Sequence, residues 1–282
     1  MNRYKAEHYT NEILCGDCIV EMDKLPADSA RLVIADPPYF QVMVGETWDK
    51  QWASPGHYLN WNLRWMLSAM RILAPGGLLY CFGQPGKREH VMLHLMSEAT
   101  RLWHFHDLII WDRVVGYNRR NDSFTPAYEM ALVLRKEGRD AYFNRDAVRE
   151  PYDEDTIMQY AKDKRYKNPI QRLAHLRKGK ELTNLWSIPS LKGSSKEKVG
   201  HPTQKPRAVI ERIIQSHSIE GDWIVDPFLG SGTTAVAAQK LNRKWTGIEV
   251  SEQYVSLAQR RIQSEKRLIE EVPTATYNSK TG

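Results

Sequence analysis

The chain has 282 residues, 41% of them hydrophobic, and a formal net charge of +6, which suits one large domain with a full core and an inserted lobe. No run approaches the roughly 18 uninterrupted apolar residues that a membrane span needs, and the polar stretch Met1–Thr10 carries no secretory apolar region, so a cytoplasmic protein is expected. The basic excess fits a polyanionic partner without naming one. Three cysteines and nine histidines show no complete metal-ligand spacing, so no metal is expected; Cys15 and Cys18 read as small residues flanking a tight turn.

Asn11 to Cys15 reads as a short strand, Ile19 to Leu25 as a helix closed by Pro26, and Arg31 to Ala35 as a second strand. Strand, helix and strand at this spacing form a parallel α/β unit with its functional residues at the strands' carboxyl ends. The second strand stops at Asp36-Pro37-Pro38-Tyr39. Consecutive prolines donate no backbone hydrogen bond and continue neither helix nor central strand, so their carbonyls are free to point into a site. An acid and carbonyls that accept, beside a ring that stacks, suit a planar group bearing an exocyclic amine, such as a nucleobase. The competing reading is a strand-ending turn with Asp as its cap.

Phe40 to His57 reads as a long loop beside that turn, either a lid whose Trp48 or Trp52 stacks on a base or a loop anchored on its own domain by those rings. From Tyr58 to Ala74, Leu59, Leu63, Met66, Leu67, Met70 and Leu73 recur at helical steps, and Pro75-Gly76-Gly77 ends the helix. A buried strand, Leu78 to Phe82, and a helix from about Lys87 to Ala99 follow. Leu102 to Trp111 and Glu129 to Arg135 are two further strands. Between them Arg113, Asn118, Arg119 and Arg120 suit phosphate and base contacts, or else form a solvated loop.

Residues 141–198 break the α/β rhythm. A basic run through Lys164, Arg165, Lys167, Arg172 and Arg177 accompanies one or two short helices broken near Pro169, and Leu185 to Pro189 re-enters the core. This composition supplies salt-dependent phosphate affinity; a basic helical insertion could equally bind RNA or solubilise the chain. His201-Pro202-Thr203-Gln204-Lys205-Pro206 then leads into a helix from about Pro206 to Ser216. Asp222 to Asp226 is a strand, Thr233 to Leu241 a helix, Trp245 to Glu249 a strand, and Ser251 caps a last helix to about Lys266. The polar tail, 269–282, is expected to be mobile.

Gly230-x-Gly232 lies between a strand and a helix, where backbone can approach a ligand closely. Alone this is weak. A dinucleotide fingerprint tolerates Ala235 in place of its third Gly, a P-loop would need Gly-Lys-Ser/Thr, and Glu249 suits a ribose in either NAD or S-adenosylmethionine. The discriminator is Asp36–Tyr39, which hydride transfer does not require. Cytosine C5 methylation requires a cysteine after a proline, and none of Cys15, Cys18 and Cys81 follows one.

Three stretches in order, Asp36–Tyr39, His201–Pro206 and Asp226–Thr234, together resemble the β-group of DNA amino-methyltransferases that use S-adenosylmethionine, over roughly residues 11–262. The resemblance implies a Rossmann-like α/β methyltransferase fold: a mostly parallel twisted sheet with an antiparallel terminal hairpin, helices on both faces and a small inserted DNA-recognition lobe. It divides the chain into a catalytic half (11–140), the target-recognition insertion (141–198) and a cofactor-binding half (199–268). It implies catalytic roles for Asp36, Pro37, Pro38 and Tyr39. Cofactor contacts would come from Asp17 and Cys18 near the adenine, although Asp17 is equally a helix cap. Asp226 would face the methionine part, with His201, Thr203 and Lys205 at its carboxylate and Glu249 at the ribose, and Asp36, Pro227, Phe228, Gly230, Ser231, Gly232, Thr233 and Thr234 would complete the cofactor site.

Relatives with Asp at the first motif position resemble adenine enzymes, whereas Ser there favours cytosine. The expected activity is therefore N6-adenine methylation of extruded bases in duplex DNA. The alternatives are N4-cytosine methylation, a catalytically silent nucleic-acid-binding module, and a protein or small-molecule methyltransferase. A silent module would be expected to have lost Asp36 or Gly230, and both are present. The partners implied are double-stranded DNA, a second copy in a homodimer, and a restriction endonuclease on a separate chain.

Overall fold

The computed structural model describes residues 7–40, 51–85, 90–117, 119, 121–163, 165 and 168–270. Alternation along one strand explains its layering. In β2 (Ala30–Ala35), Val33 and Ala35 enter one hydrophobic core while Leu32 and Ile34 enter another on the opposite face, as the period-two geometry of a strand requires. Both faces must therefore be covered, and both are.

One face carries α1 (Cys18–Lys24), α2 (Pro55–Ile72) and α3 (Val91–Leu102), which bury Met22, Trp65, Met66, Leu95 and Ala99 against it. Fully burying one large apolar side chain contributes about 1.5–3 kcal/mol, so these helices are held by packing more than by propensity. α2 also has a sharp start: Ser54 Oγ accepts from the His57 amide at 3.2 Å, with Pro55 in the first turn. The other face carries α6 (Arg207–His217), α7 (Thr233–Lys240) and α8 (Glu252–Glu270), through Val209, Ile213, Ala237, Ala258 and Ile262.

The remaining strands are β1 (Glu12–Cys15), β3 (Leu73–Gly83), β4 (His104–Asp112), β5 (Tyr128–Arg135), β6 (Leu185–Ser187), β7 (Trp223–Asp226) and β8 (Lys244–Glu249). They form an eight-stranded sheet in the order β1-β8-β7-β2-β3-β5-β4-β6. Pairing is parallel from β1 through β3, antiparallel at β3/β5 and β5/β4, and parallel again at β4/β6. This is the expected Rossmann-like α/β architecture with one addition. The antiparallel pair does not end the sheet, because β6 extends it. Trp186 and Ile188 are buried there, and Trp111 Nε1 donates to the Ile188 carbonyl at 2.7 Å.

β2 and β7 are parallel neighbours, but α2 leaves β2 for one face and α7 leaves β7 for the other. A crevice opens at the carboxyl ends of two strands that diverge in this way. Asp36 follows the first strand and Asp226 ends the second. The fold therefore brings the two motifs together across most of the chain's length.

Helix ends depart from the sequence reading by up to about a turn, as fraying ends do. The third helix begins at Val91, and the last one runs to Glu270. Pro75-Gly76-Gly77 does more than end a helix: the Gly76 amide bonds to Lys136 and the Lys136 amide to Gly77, both at 3.0 Å. Within 141–198, α4 (Glu154–Ala161) and α5 (Pro169–Arg177) are the two expected short helices, separated before Pro169. Trp48, Asn118, Arg120, Lys164, Lys167 and the tail from 271 lie outside the described residues. No described helix is long and apolar enough to cross a membrane.

Candidate active site

β2 ends at Ala35, and the next four residues turn the chain over the crevice. Asp36 Oδ1 accepts a hydrogen bond from Tyr39 Oη at 2.6 Å and lies 2.9 Å from Lys205 Nζ. The same ammonium is 2.9 Å from Glu129 Oε2 and donates to Tyr39 Oη at 3.1 Å. Glu129 Oε1 in turn pairs with Arg113 at 3.2 Å and Gln84 at 3.3 Å. Burial pushes the Asp36 carboxyl upward while the Lys205 charge pulls it back; for Glu129, Lys205 and Arg113 together outweigh burial and lower it. Lys205 is raised by the two carboxylates against the effect of burial. The result is a four-charge cluster, neutral in sum, across three strand ends.

Of the two prolyl carbonyls expected to be free to point into a site, that of Pro38 is engaged. Tyr58 Oη donates to the Pro38 carbonyl at 2.6 Å, whereas the Pro37 carbonyl receives no hydrogen bond among the described residues. Tyr58 belongs to a small aromatic cluster with Phe40 and Trp52. The Trp52 ring is 4.9 Å from Tyr58 and 4.6 Å from Trp61 and only 8% exposed. Of the two roles open to Trp52 from sequence, the structure has it anchoring the loop.

β7 delivers the second wall. Asp226 Oδ1 accepts from the Phe228 amide at 2.9 Å, the Leu229 amide reaches the Ile248 carbonyl, and the Gly230 amide donates to Glu249 Oε2 at 2.9 Å. Gly230 and Gly232 have φ of 51° and 79°, and a Cβ on Gly230 would stand 3.1 Å from His201 Nε2. That left-handed backbone is what glycine supplies cheaply. Behind the loop, Arg261 donates to the Ser231 carbonyl and, at 2.9 Å, to Thr233 Oγ1. Burial raises Asp226 to about 7 and lowers His201 to about 4.

These elements enclose a cavity of about 800 Å³. Asp17, Cys18, Glu249, Val250, Tyr254 and Phe228 line it on the β1/β8 side of the Asp36 turn, and Gln84, Trp111, Arg113, Tyr117 and Glu129 on the β4/β5 side. Asp36, Pro37, Pro38, Tyr39, His201, Thr203, Lys205 and Pro227 also line it. Asp226, Gly230, Ser231, Thr233 and Thr234 border a smaller space of about 40 Å³ behind them, and Gly232 lines neither. Asp17 is the helix cap, its Oδ1 accepting from the Ile19 and Val20 amides at 2.9 and 3.1 Å, and it also borders the cavity. The β1/β8 side fits the expected S-adenosylmethionine. Apolar walls at Trp61, Phe228 and Val250 suit a base, and Glu249 suits ribose hydroxyls. An acid at Asp36 suits positive charge.

The residues expected at DNA separate. Arg113 lines the cavity, salt-bridged to Glu129 and 4.7 Å from the Tyr117 ring. Arg119 and Arg177 are exposed. Arg165 pairs with its neighbour Asp163 at 2.6 Å, and Arg172 sits over the Tyr160 ring. Sequence reasoning missed Glu129 and Arg261. Glu129 is the second residue of a mostly apolar strand, where an acid with no visible partner carries a weak signal. Arg261 lies in a charged helix whose other Arg and Lys residues look alike.

The profile of a family described as DNA methylase matches residues 30–260. The DNA adenine methyltransferase YhdJ of Escherichia coli (strain K12) is 29% identical over 273 residues, covering 96% of this chain and 88% of that one. Among solved structures, the PvuII DNA methyltransferase, described as cytosine-N4-specific, superposes with a TM-score of 0.66 at 16% identity (93% of this chain, 94% of that one). The M1.HpyAVI–SAM complex gives 0.58 at 24% identity, with 89% and 98% covered.

Proposed function

The chain belongs to the N6/N4 DNA methylase family, and from that premise we propose that it moves a methyl group from S-adenosylmethionine to the N6 amine of adenine in duplex DNA. The observation that carries this reading is the Asp36 turn: a carboxylate with one oxygen taken by Tyr39 and Lys205, beside a Pro37 carbonyl that receives no hydrogen bond among the described residues. An exocyclic amine has two hydrogens and a lone pair delocalised into its ring. Asp36 and the Pro37 carbonyl accept those hydrogens, raise electron density on nitrogen and favour the positive charge that builds in the transition state.

S-adenosylmethionine supplies an electrophilic methyl on a positively charged sulfur. The chain's own work is to align the amine with it, which accounts for much of the acceleration. Asp36 lies within a cavity, where a stacked base cannot reach it, so the base is extruded from the duplex and held against Tyr39. Adenine is preferred over cytosine because Asp holds the first motif position, and the named adenine enzyme YhdJ supports that choice. Duplex DNA is bound through the basic 141–198 region and the β4–β5 connection; any restriction nuclease is a separate chain.

Labelled S-adenosylmethionine, unmethylated duplex DNA and nucleoside chromatography test the reading. Label in N6-methyladenine, lost in Asp36→Ala, is expected. Label in N4-methylcytosine overturns the base, and no label on DNA overturns the substrate.

A further inference from the structure

Lys205 was expected at the cofactor's carboxylate, and its surroundings point elsewhere. Its ammonium has three hydrogens and three acceptors: Asp36 Oδ1 at 2.9 Å, Glu129 Oε2 at 2.9 Å and Tyr39 Oη at 3.1 Å. Its stem passes the Phe82 ring, 4.5 Å from the nitrogen, and the side chain is 8% exposed. Glu129 is as deeply placed, 6% exposed, and is tied by its second oxygen to Arg113 and Gln84. Nothing in this arrangement is spare for a further carboxylate.

We propose that Lys205 and Glu129 are positioning residues that lock one oxygen of Asp36 and so present the other, Oδ2, to the substrate amine in a fixed direction. The proposal rests on the reading of the site given above and adds two residues to it. Asp36 Oδ1 is held from its own turn by Tyr39 and from the segment ahead of α6 by Lys205, while Glu129, two strands away in the sheet, holds Lys205 in turn. Oδ2 receives no hydrogen bond among the described residues. A carboxylate free to rotate would present either oxygen, and misplacing an acceptor by about 1 Å costs on the order of 100-fold in rate.

Glu129 has a second effect. Burial raises the Asp36 carboxyl, Lys205 opposes that rise, and the second carboxylate shares the charge of Lys205. The titratable groups facing Asp36 are Lys205, Glu129, Tyr39, Cys81 from β3 and Asp226 from β7. Among them Lys205 lowers the Asp36 pKa and Glu129 raises it. Removing them should therefore move it in opposite senses, which a purely structural role would not do.

The test compares wild type, Lys205→Met and Glu129→Gln. Measured are kcat for duplex DNA across pH, cofactor affinity by calorimetry, and the Asp36 carboxyl carbon by NMR in the cofactor-free protein. In both variants kcat should fall about 10- to 100-fold, with cofactor affinity within about threefold of wild type. The acid limb, and with it the NMR titration of Asp36, should move to higher pH in Lys205→Met and to lower pH in Glu129→Gln. Limbs that stay fixed or move together overturn the proposal, as does Lys205→Met losing cofactor affinity while keeping kcat. Should a single variant fail to fold, Glu129→Gln/Lys205→Met removes one charge of each sign; low kcat with intact cofactor binding supports the proposal, and wild-type kcat overturns it. If wild type methylates no DNA, the proposed function fails and this proposal falls with it, whereas active wild type with fixed NMR titrations in the variants overturns this proposal alone.

Discussion

The crevice is flanked by two strand ends with the same two letters, Asp36-Pro37 and Asp226-Pro227, and the fold treats them oppositely. At the end of β2 the carboxylate meets Lys205, and through it Glu129 and Arg113. At the end of β7 no cation reaches Asp226 among the described residues. It accepts only from neutral donors, the Phe228 amide and the Thr234 hydroxyl, and burial holds it near 7. Burial raises both carboxyls; at Asp36 the Lys205 charge opposes that rise, while at Asp226 only dipoles do. What differs is which charges reach each end: Lys205 and, from the start of β5, Glu129 gather at β2, while the stretch before α6 brings His201 to the Gly230 loop after β7.

The sharpest way to break this comparison is Asp36→Asn, which keeps the shape and removes the charge. Methyl transfer should fall at least about 1,000-fold while cofactor affinity stays within about fivefold, measured by single-turnover kinetics and calorimetry. Retained transfer would make the two ends equivalent. Asp226→Asn probes the other end through stability. Burial lifts its folded pKa to about 7, above the ordinary aspartate value, so the folded protein holds this proton more tightly than the unfolded one. That group's contribution to stability is present below about 4, falls between about 4 and 7, and stays low above 7. The cofactor-free variant should therefore melt about 5 °C above wild type at pH 8 and level with it near pH 4, read by circular dichroism.

Gly230→Ala tests the backbone of that same loop. A left-handed φ of 51° costs an L residue about 1–2 kcal/mol, and the added Cβ presses on His201. Calorimetry should show cofactor binding weakened about 10-fold, with the Asp36 titration unmoved. Arg113→Lys is the mildest change: it keeps the charge next to Glu129 but loses the planar stack on Tyr117. A drop in kcat of about threefold is expected, and a drop as large as that of Asp36→Asn would extend the charge cluster outward from Lys205.

Much of the fold could be read in advance because its punctuation is local. Pro37 and Pro38 stop a strand wherever they stand, Gly230 and Gly232 mark a close approach, and Leu59 to Met70 repeat at helical steps. The partners of Asp36 could not be read this way. Lys205 sits in a recognisable motif, yet nothing near it in sequence says that its ammonium turns toward Glu129, 76 residues away. β6 was invisible as a sheet strand for a similar reason: three residues, Leu185–Ser187, pair with β4 because Trp111 and Trp186 need cover. Trp52 could be narrowed to two roles from sequence, and only packing against Tyr58 and Trp61 chose between them.

The sheet order carries a consequence for how the protein is made. β2 cannot complete its pairing until β7 exists, and the Arg31–Asp222 ion pair beside them joins positions 191 residues apart. β1 waits longer still, since Asn11 meets Trp245 across 234 residues. At about 5–20 residues per second of synthesis, the first strands emerge roughly 10–40 s before their neighbours. Until then the face of β2 that carries Leu32 and Ile34 lacks its covering helices α6 and α7, and contacts so distant in sequence form slowly. The nascent chain thus holds Asp36 without the Gly230 loop beside it, so ribosome-bound fragments ending before β7 should be protease-sensitive and unable to retain S-adenosylmethionine.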